Sequence, residues 1–531
     1  MLCNRLRHLE SIFCALLIVF ILSSCSIRLT DCAGGPLANT EKLLQLQQDE
    51  FPVGAKAYLV LPNPIDSPKL NLFEFSSSTF RNAQDAVGLP GLSSTASLEN
   101  KFLKVRQHSR FDSADLLVNP QELSEASVEV KDPKYSQVMA YHAITAISDF
   151  VKSLGFSVDQ SRPLFVMVRS NLDPEKTESP VGKDINAYYV HNTQQPQLPR
   201  YIQLFGDVQY PLGADRDVFW HEFGHLFNES VSASKGLDEA TERGAIYAES
   251  GALHECLADY LAESASGKGY IGKWTAKNIK EIKPGQPLRW AVSQNDSKNN
   301  FSQVGTWNPQ THGNRTYLVG EWCSRVLWDI RQQFQKEDSQ TGAFFSDRTI
   351  FGAVALLGKN ASMSEFRAAL LESDTRLHCG LHQQSIRKAF TSKGFAEKVA
   401  PLTSKLQLQA VPVGFNFSGS QAIPVAANGS AKEILFNIQI KNPNRASARN
   451  VRLVIETGDP AVVPITNFQG FGDLGSNATI SIVGNNYSAL QSSVSLSLDK
   501  KHANGRTRIP IVLKVISENG GESRFNLELS L

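Results

Sequence analysis

Between Asp217 and Leu261 the chain carries His221-Glu222-Phe223-Gly224-His225 and, after a charged insert, Gly251-Ala252-Leu253-His254-Glu255-Cys256-Leu257-Ala258-Asp259-Tyr260. Residues four apart on a helix differ by only about 40° around the axis, so both imidazoles of the first block can reach one ion from one face. That spacing suits zinc, and it makes His221 and His225 candidate ligands. Glu222 leans off the ligand line, where a carboxylate can serve as general base toward a water at the metal. In the second block Glu255 and Asp259 share one helix face, while Leu253, Leu257 and Leu261 pack another. Burying two acids in so apolar a run is costly unless a cation or an imidazole neutralises them.

These two blocks together resemble the thermolysin-like metallopeptidases, and especially their fungalysin-type relatives. The resemblance implies an α+β thermolysin-like domain and a zinc-dependent peptidase activity on peptide or protein substrates. It implies Glu255 as third ligand beside His221 and His225, Glu222 as general base, and Asp259 as the carboxylate that orients a ligand imidazole. His254 stands where the family often has Asn and keeps a hydrogen-bonding side chain there. The interval from His225 to Glu255 is longer than in thermolysin, and residues 235–249 read as an inserted surface segment.

Upstream, Arg5, Arg7 and His8 precede an apolar run from Ile12 to Leu22 that is too short to span a bilayer comfortably and is placed as a signal-peptide core. Leu22-Ser23-Ser24-Cys25 resembles a bacterial lipoprotein cleavage box, which implies a lipid anchor on Cys25 after removal of residues 1–24. With Ser26 next, the resemblance favours the outer membrane or cell surface; a plain secretory signal cut near Ala33 is the alternative. Residues 25–50 read as a tether, and residues 51–126 as short strands and loops broken by Pro62, Pro64 and Pro68. That interval leaves no room for the long propeptide usual in the family. With 53 basic against 52 acidic residues, formal charge is only +1, so no global field draws in nucleic acid. Of seven cysteines, Cys32, Cys256, Cys323 and Cys379 lie beyond the signal and Cys25. Connectivity is not legible in sequence, and a buried free thiol at Cys256 and Cys323 fits as well as a bridge.

The expected peptidase domain covers residues 127–400. Apolar residues at three- and four-residue steps predict a helix from Pro133 to Leu154, followed by strands around 163–168, 184–190 and 200–206. Asn186-Ala187-Tyr188 matches the thermolysin-like edge strand, and the resemblance implies Asn186 and Ala187 in substrate binding; an ordinary sheet strand fits equally. Trp322, Val326, Ile330 and Phe334 mark another helix face. Fungalysin-type enzymes carry an oxyanion-stabilising histidine three residues before the glycine of the motif around Gly320-Glu321 and Leu327-Trp328-Asp329. Here that position is Tyr317, and His312 lies five residues earlier, so both are candidate donors. Ser362-Met363-Ser364-Glu365 reads as a capping box opening a late helix.

Beyond Pro401, six or more β-rich runs separated by Asn, Gly and Pro turns predict an all-β, immunoglobulin-like sandwich over 401–531. Asn442-Pro443-Asn444 resembles cell-surface adhesion repeats, without naming a ligand. The reading is an exported, lipid-anchored zinc endopeptidase. The alternative is an envelope adhesin that keeps a zinc-bound peptidase scaffold without turnover, motivated by Tyr317 in the histidine position and by the missing propeptide.

Overall fold

The computed structural model describes parts of 56–106, most of 130–170, then 186–190, 199–205, 211–232, 248–279, parts of 282–308, 315–396, and most of 400–530. Cys25, His312 and nearly all of the 235–249 insert lie outside the described residues. The architecture is mixed α+β, with helices and several antiparallel sheets.

Strands β1 (Lys56–Leu59) and β2 (Asp85–Gly88) form a small antiparallel pair. Strand β3 (Leu103–Arg106) opens a four-stranded sheet with β4 (Leu164–Ser170), β5 (Ala187–Val190) and β6 (Arg200–Phe205), in the order β3-β4-β6-β5. The first two pairings are parallel, and β5 joins antiparallel at the edge. Within 51–126, β3 pairs along β4, and Leu59, Leu89, Leu98 and Leu103 sit in the main core.

Helix α1 (Pro133–Ser153) forms where the periodicity expected it. The Asp132 carboxylate accepts from the Lys134 N–H at 2.8 Å, and Pro133 occupies the first turn, where its missing N–H costs nothing. Val138, Tyr141, Ile144, Ile147 and Val151 are buried in the main core, and the Trp220 indole of α2 (Arg216–Val231) donates to the Ala143 carbonyl at 2.9 Å. Helix α3 (Glu249–Ser266) carries the second motif; strands β7 (Tyr270–Ile271) and β8 (Arg289–Trp290) follow. Glu249 is buried at the start of α3 and accepts from the Met363 N–H at 2.7 Å, so it belongs to the core and not to a surface insert. Then come α4 (Arg315–Glu337), α5 (Gly342–Val354), α6 (Met363–His378) and α7 (Gln383–Ser392). The capping box of Ser362 and Glu365 forms as its sequence reads.

Helices α2, α3 and α4 cross closely, and glycine permits it. A Cβ on Gly224 would come within 2.6 Å of Ala258 Cα, and one on Gly320 within 3.0 Å of Glu255 Cβ. The Cys256–Cys323 disulfide, with Cα atoms 5.5 Å apart, ties α3 to α4. The free-thiol reading of these two residues is thus corrected: side chains facing each other across a tight crossing are close enough to bond. Cys379 is also disulfide-bonded.

The C-terminal region has more strands than the sequence pattern separated. They are β9 (Gln407–Pro412), β10 (Phe415–Ser418), β11 (Gln421–Pro424), β12 (Glu433–Lys441), β13 (Ala448–Glu456), β14 (Val462–Pro464), β15 (Phe468–Leu474), β16 (Thr479–Ile482), β17 (Val494–Leu498), β18 (Arg508–Ser517) and β19 (Gly521–Ser530). One sheet runs β10-β11-β19-β18-β13-β15, the other β14-β17-β12-β16 with β9 on β12. Alternating residues such as Ile509, Ile511, Leu513 and Val515 face Phe436, Ile438 and Leu496 in a shared core. Asn442 is consumed internally: its amide donates to the Ala446, Leu474 and Gly475 carbonyls at 2.9–3.1 Å, holding turns together. Among the described residues no helix is long and apolar enough to cross a membrane.

The glycine at the α2–α3 crossing gives a direct test. Gly224→Ala should destabilise the chain by about 2–3 kcal/mol, because the added methyl meets backbone that cannot rotate away. Thermal unfolding of the two proteins measures it, and an unchanged midpoint would refute the close crossing.

Candidate metal centre

Two side chains of α2 and one of α3 meet at a single point. His221 Nε2 and His225 Nε2 are 3.2 Å apart. Glu255 Oε2 lies 3.5 Å from His221 Nε2, and Glu255 Oε1 lies 3.8 Å from His225 Nε2. All their donor atoms fall within 4.8 Å of one another, a group able to hold a metal ion. The start of α2 is fixed from outside the helix, since the buried Asp215 carboxylate accepts from the Thr275 N–H at 3.0 Å and hydroxyl at 2.9 Å.

The outward ring nitrogens are also engaged. His221 Nδ1 lies 2.7 Å from Asp259 Oδ1. His225 Nδ1 lies 2.5 Å from His254 Nδ1, with the two rings stacked at 4.6 Å. With the proton on His225 Nδ1, the Nε2 lone pair faces the cluster, which is the orientation a ligand needs. Asn228 holds the two helices in register by donating to the His254 carbonyl at 3.2 Å.

Burial sets most of the protonation. It pushes the His225 imidazole well below its usual value, with His254 and His221 adding to the effect. It pushes His254 down to about 4, so both rings are neutral. Burial pulls on His221 too, but the Asp259 carboxylate outweighs it and raises that imidazole. Asp259 itself is lowered, because Arg289 and His221 overcome its own desolvation.

Arg289, on β8, is the residue that motif reading missed. Its Nη1 lies 3.0 Å from Glu255 Oε2 and 2.7 Å from Asp259 Oδ1. The need for a counter-charge beside two buried acids was legible, but its source thirty positions downstream of Asp259 carries no spacing signal. The Tyr317 ring stacks on this guanidinium at 5.1 Å. Tyr317 opens α4 and is 51 % exposed, so it stands at the mouth of the cluster. The charge of Glu255, then burial and the charge of Glu222, raise its phenol above the usual value.

Glu222 is 4 % exposed and its Oε2 is buried without a hydrogen-bond partner among the described residues. Burial, aided by Glu255, raises its carboxyl to about 7, against the opposing pull of His221 and Arg289. The Tyr189 backbone of β5 lowers this carboxyl somewhat, and β5 ends its sheet among the described residues. Asn186 and Ala187 lie at the start of that edge strand; Asn186 is exposed and its side-chain oxygen accepts from the Ala187 N–H at 3.0 Å.

No family model and no curated protein matches this chain. Among solved structures, the chain is similar to the Pseudomonas fluorescens alkylpurine DNA glycosylase AlkC bound to DNA containing an abasic site analogue. The identity is 12 %, over 41 % of this chain and 60 % of that one, with a TM-score of 0.14. It is also similar to wild-type OgpA from Akkermansia muciniphila, at 13 % identity over 39 % and 54 %, with a TM-score of 0.12. The chain therefore spans less than two thirds of either protein, and scores this low carry no argument about fold or activity.

Asp259 fixes the orientation of His221, so its charge should matter to metal affinity. Asp259→Asn should weaken binding of added zinc by about 10- to 100-fold without removing it. Competition against a coloured chelator measures this, and an unchanged affinity would mean that Asp259 serves only as a partner for Arg289.

Proposed function

We propose that the chain is a zinc-dependent endopeptidase of thermolysin-like, fungalysin-type architecture, followed by an immunoglobulin-like sandwich. The observation that carries the reading is the convergence of His221, His225 and Glu255 beside the buried Glu222, whose Oε2 has no hydrogen-bond partner among the described residues. Donor separations of 3.2, 3.5 and 3.8 Å support zinc, since tetrahedral ligands at about 2.0–2.1 Å from that ion stand about 3.3 Å apart. Two imidazoles and one carboxylate are also the donor set of catalytic zinc.

His221, His225 and Glu255 would hold the ion. When bound, zinc acts as a Lewis acid that makes a water nucleophilic at neutral pH and polarises a carbonyl. Glu222 takes the proton of the attacking water and returns it to the leaving amine; a carboxyl raised to about 7 is well placed to do both near neutrality. Strand β5, which ends its sheet among the described residues, receives an extended peptide as an added strand, which orients the scissile bond toward Glu222 with little side-chain selectivity. The Tyr317 hydroxyl donates to the oxygen that gains negative charge. Arg289 holds Glu255 and Asp259 in place and keeps their charges compensated.

Glu222→Gln should keep its metal and lose hydrolysis of casein, while Tyr317→Phe should keep its metal and turn over about 100-fold more slowly. Hydrolysis undiminished in Glu222→Gln would end the mechanism. A wild-type chain that holds zinc yet cleaves nothing in a broad peptide library would favour the non-hydrolytic envelope adhesin. We further propose that Cys25 carries a lipid that anchors the protein at the cell envelope. Cys25→Ser should move it from the membrane fraction to the soluble one, and continued membrane association would argue against the anchor.

A further inference from the structure

One of the contacts between the C-terminal sheets and the helical region runs along a strand edge. Strand β15 ends the six-stranded sheet, and its outer side would leave backbone groups unpaired. The segment from Gly305 to Trp307 fills that edge: Trp307 N–H donates to the Asp473 carbonyl at 2.6 Å, and Asp473 N–H donates to the Gly305 carbonyl at 2.8 Å. The Trp307 ring meets Phe471 edge-on at 5.7 Å and packs against the second core.

Arg315 joins the same edge. It is the first residue of α4, it is 1 % exposed, and it is among the largest wholly buried side chains of the molecule. Its Nη1 donates to the Phe471 carbonyl of β15, and its Nη2 donates to the Thr306 carbonyl. The guanidinium also lies over the Trp307 ring, at 5.8 Å. A planar fork with two fixed N–H directions suits a pair of carbonyls that a lysine ammonium could not satisfy with the same geometry. Two residues further on stands Tyr317. A helix start is normally its most frayed part, since its first N–H groups have no partners within the helix. Here it is held by the side chain of its own first residue, against a strand more than 150 positions away.

We propose that Arg315 is a positioning residue for Tyr317, and that strand β15 of the C-terminal region, through the Phe471 carbonyl, sets where α4 begins and where the Tyr317 hydroxyl stands beside Glu255 and Glu222. The inference rests on the peptidase reading for the role of Tyr317, but the anchoring is a property of the chain itself. The C-terminal region is then part of the catalytic apparatus, and its docking is required for turnover. A small displacement of a group that must meet a developing charge is enough to cost a large factor in rate.

The experiment is a double-mutant cycle in the full chain, with Arg315→Met, Tyr317→Phe and the double variant, read by kcat, KM, zinc affinity and amide hydrogen exchange. Arg315→Met should lower kcat by about tenfold or more, with KM and zinc affinity within about twofold of the parent. It should add little to the loss in Tyr317→Phe, because the hydroxyl it positions is already gone. Exchange at Val319, Gly320 and Glu321, in the first hydrogen-bonded turn of α4, should quicken by about tenfold or more. Arg315→Lys, which can reach one carbonyl, should fall between parent and Arg315→Met, and it carries the test should Arg315→Met fail to fold. Losses that multiply in the double variant, a parallel loss of zinc, or unchanged exchange in the first turn would each overturn the proposal. A Tyr317→Phe chain as active as the parent would overturn it too, while leaving the peptidase reading intact. A parent chain without hydrolysis, in which exchange still quickens, would remove the peptidase reading and keep the anchor.

Discussion

The centre of this molecule depends on how near three helices come to one another. At the Gly224 and Gly320 crossings there is no Cβ to hold the backbones apart, so α2 and α4 both pack directly on α3. The metal-centre geometry follows from that approach. Glu255 is carried on α3 and the two imidazoles on α2, and each ångström of extra separation would take the carboxylate out of reach of both. The Cys256–Cys323 disulfide lies next to Glu255 in sequence and holds the α3–α4 crossing covalently, which limits how far α4 can move relative to the ligand helix.

Charge burial is the second condition. Glu222, Glu255, Asp259 and Glu263 all lie on or beside this crossing, with Glu222, Asp259 and Glu263 buried and Glu255 half-buried. Arg289 and His221 offset the charges nearest the cluster, which keeps Asp259 ionised. Glu263 lies further along the helix, where burial and the neighbouring Asp259 and Glu321 carboxylates raise it well above its usual range. One helix thus holds carboxyl groups shifted in opposite directions, according to whether the neighbouring cations outweigh desolvation.

The C-terminal sheets contribute a further counter-charge. Arg449 of β13 is buried against the rings of Phe301 and Phe395, at 4.5 and 4.0 Å, and pairs with Asp473 at 3.0 Å. Its charge also opposes the burial-driven rise of Glu249, the first residue of α3. An arginine desolvated against two aromatic rings and a carboxylate is a specific contact, and its loss would leave charges buried without a partner. It is built as an internal joint and not as a solvated linker between independent units.

Local chemistry was legible wherever the information is local. His221 and His225 share a face because of helical period, α1 ends in the cap and turn residues that its pattern names, and the Ser362 box closes as written. The sequence by itself therefore determined the helices, the donor spacing, the need for compensation of two acids, and the change to β texture beyond Pro401. The tertiary structure alone decided which residues answer those needs. Arg289, the Cys256–Cys323 pairing, the edge of β5 against Glu222 and the grip of Phe471 on Arg315 all join positions whose separation in sequence follows no period. Periodicity reports which face of an element is apolar. It does not report which distant element covers that face, because this is set by packing and by pairing of buried polar groups across the whole chain.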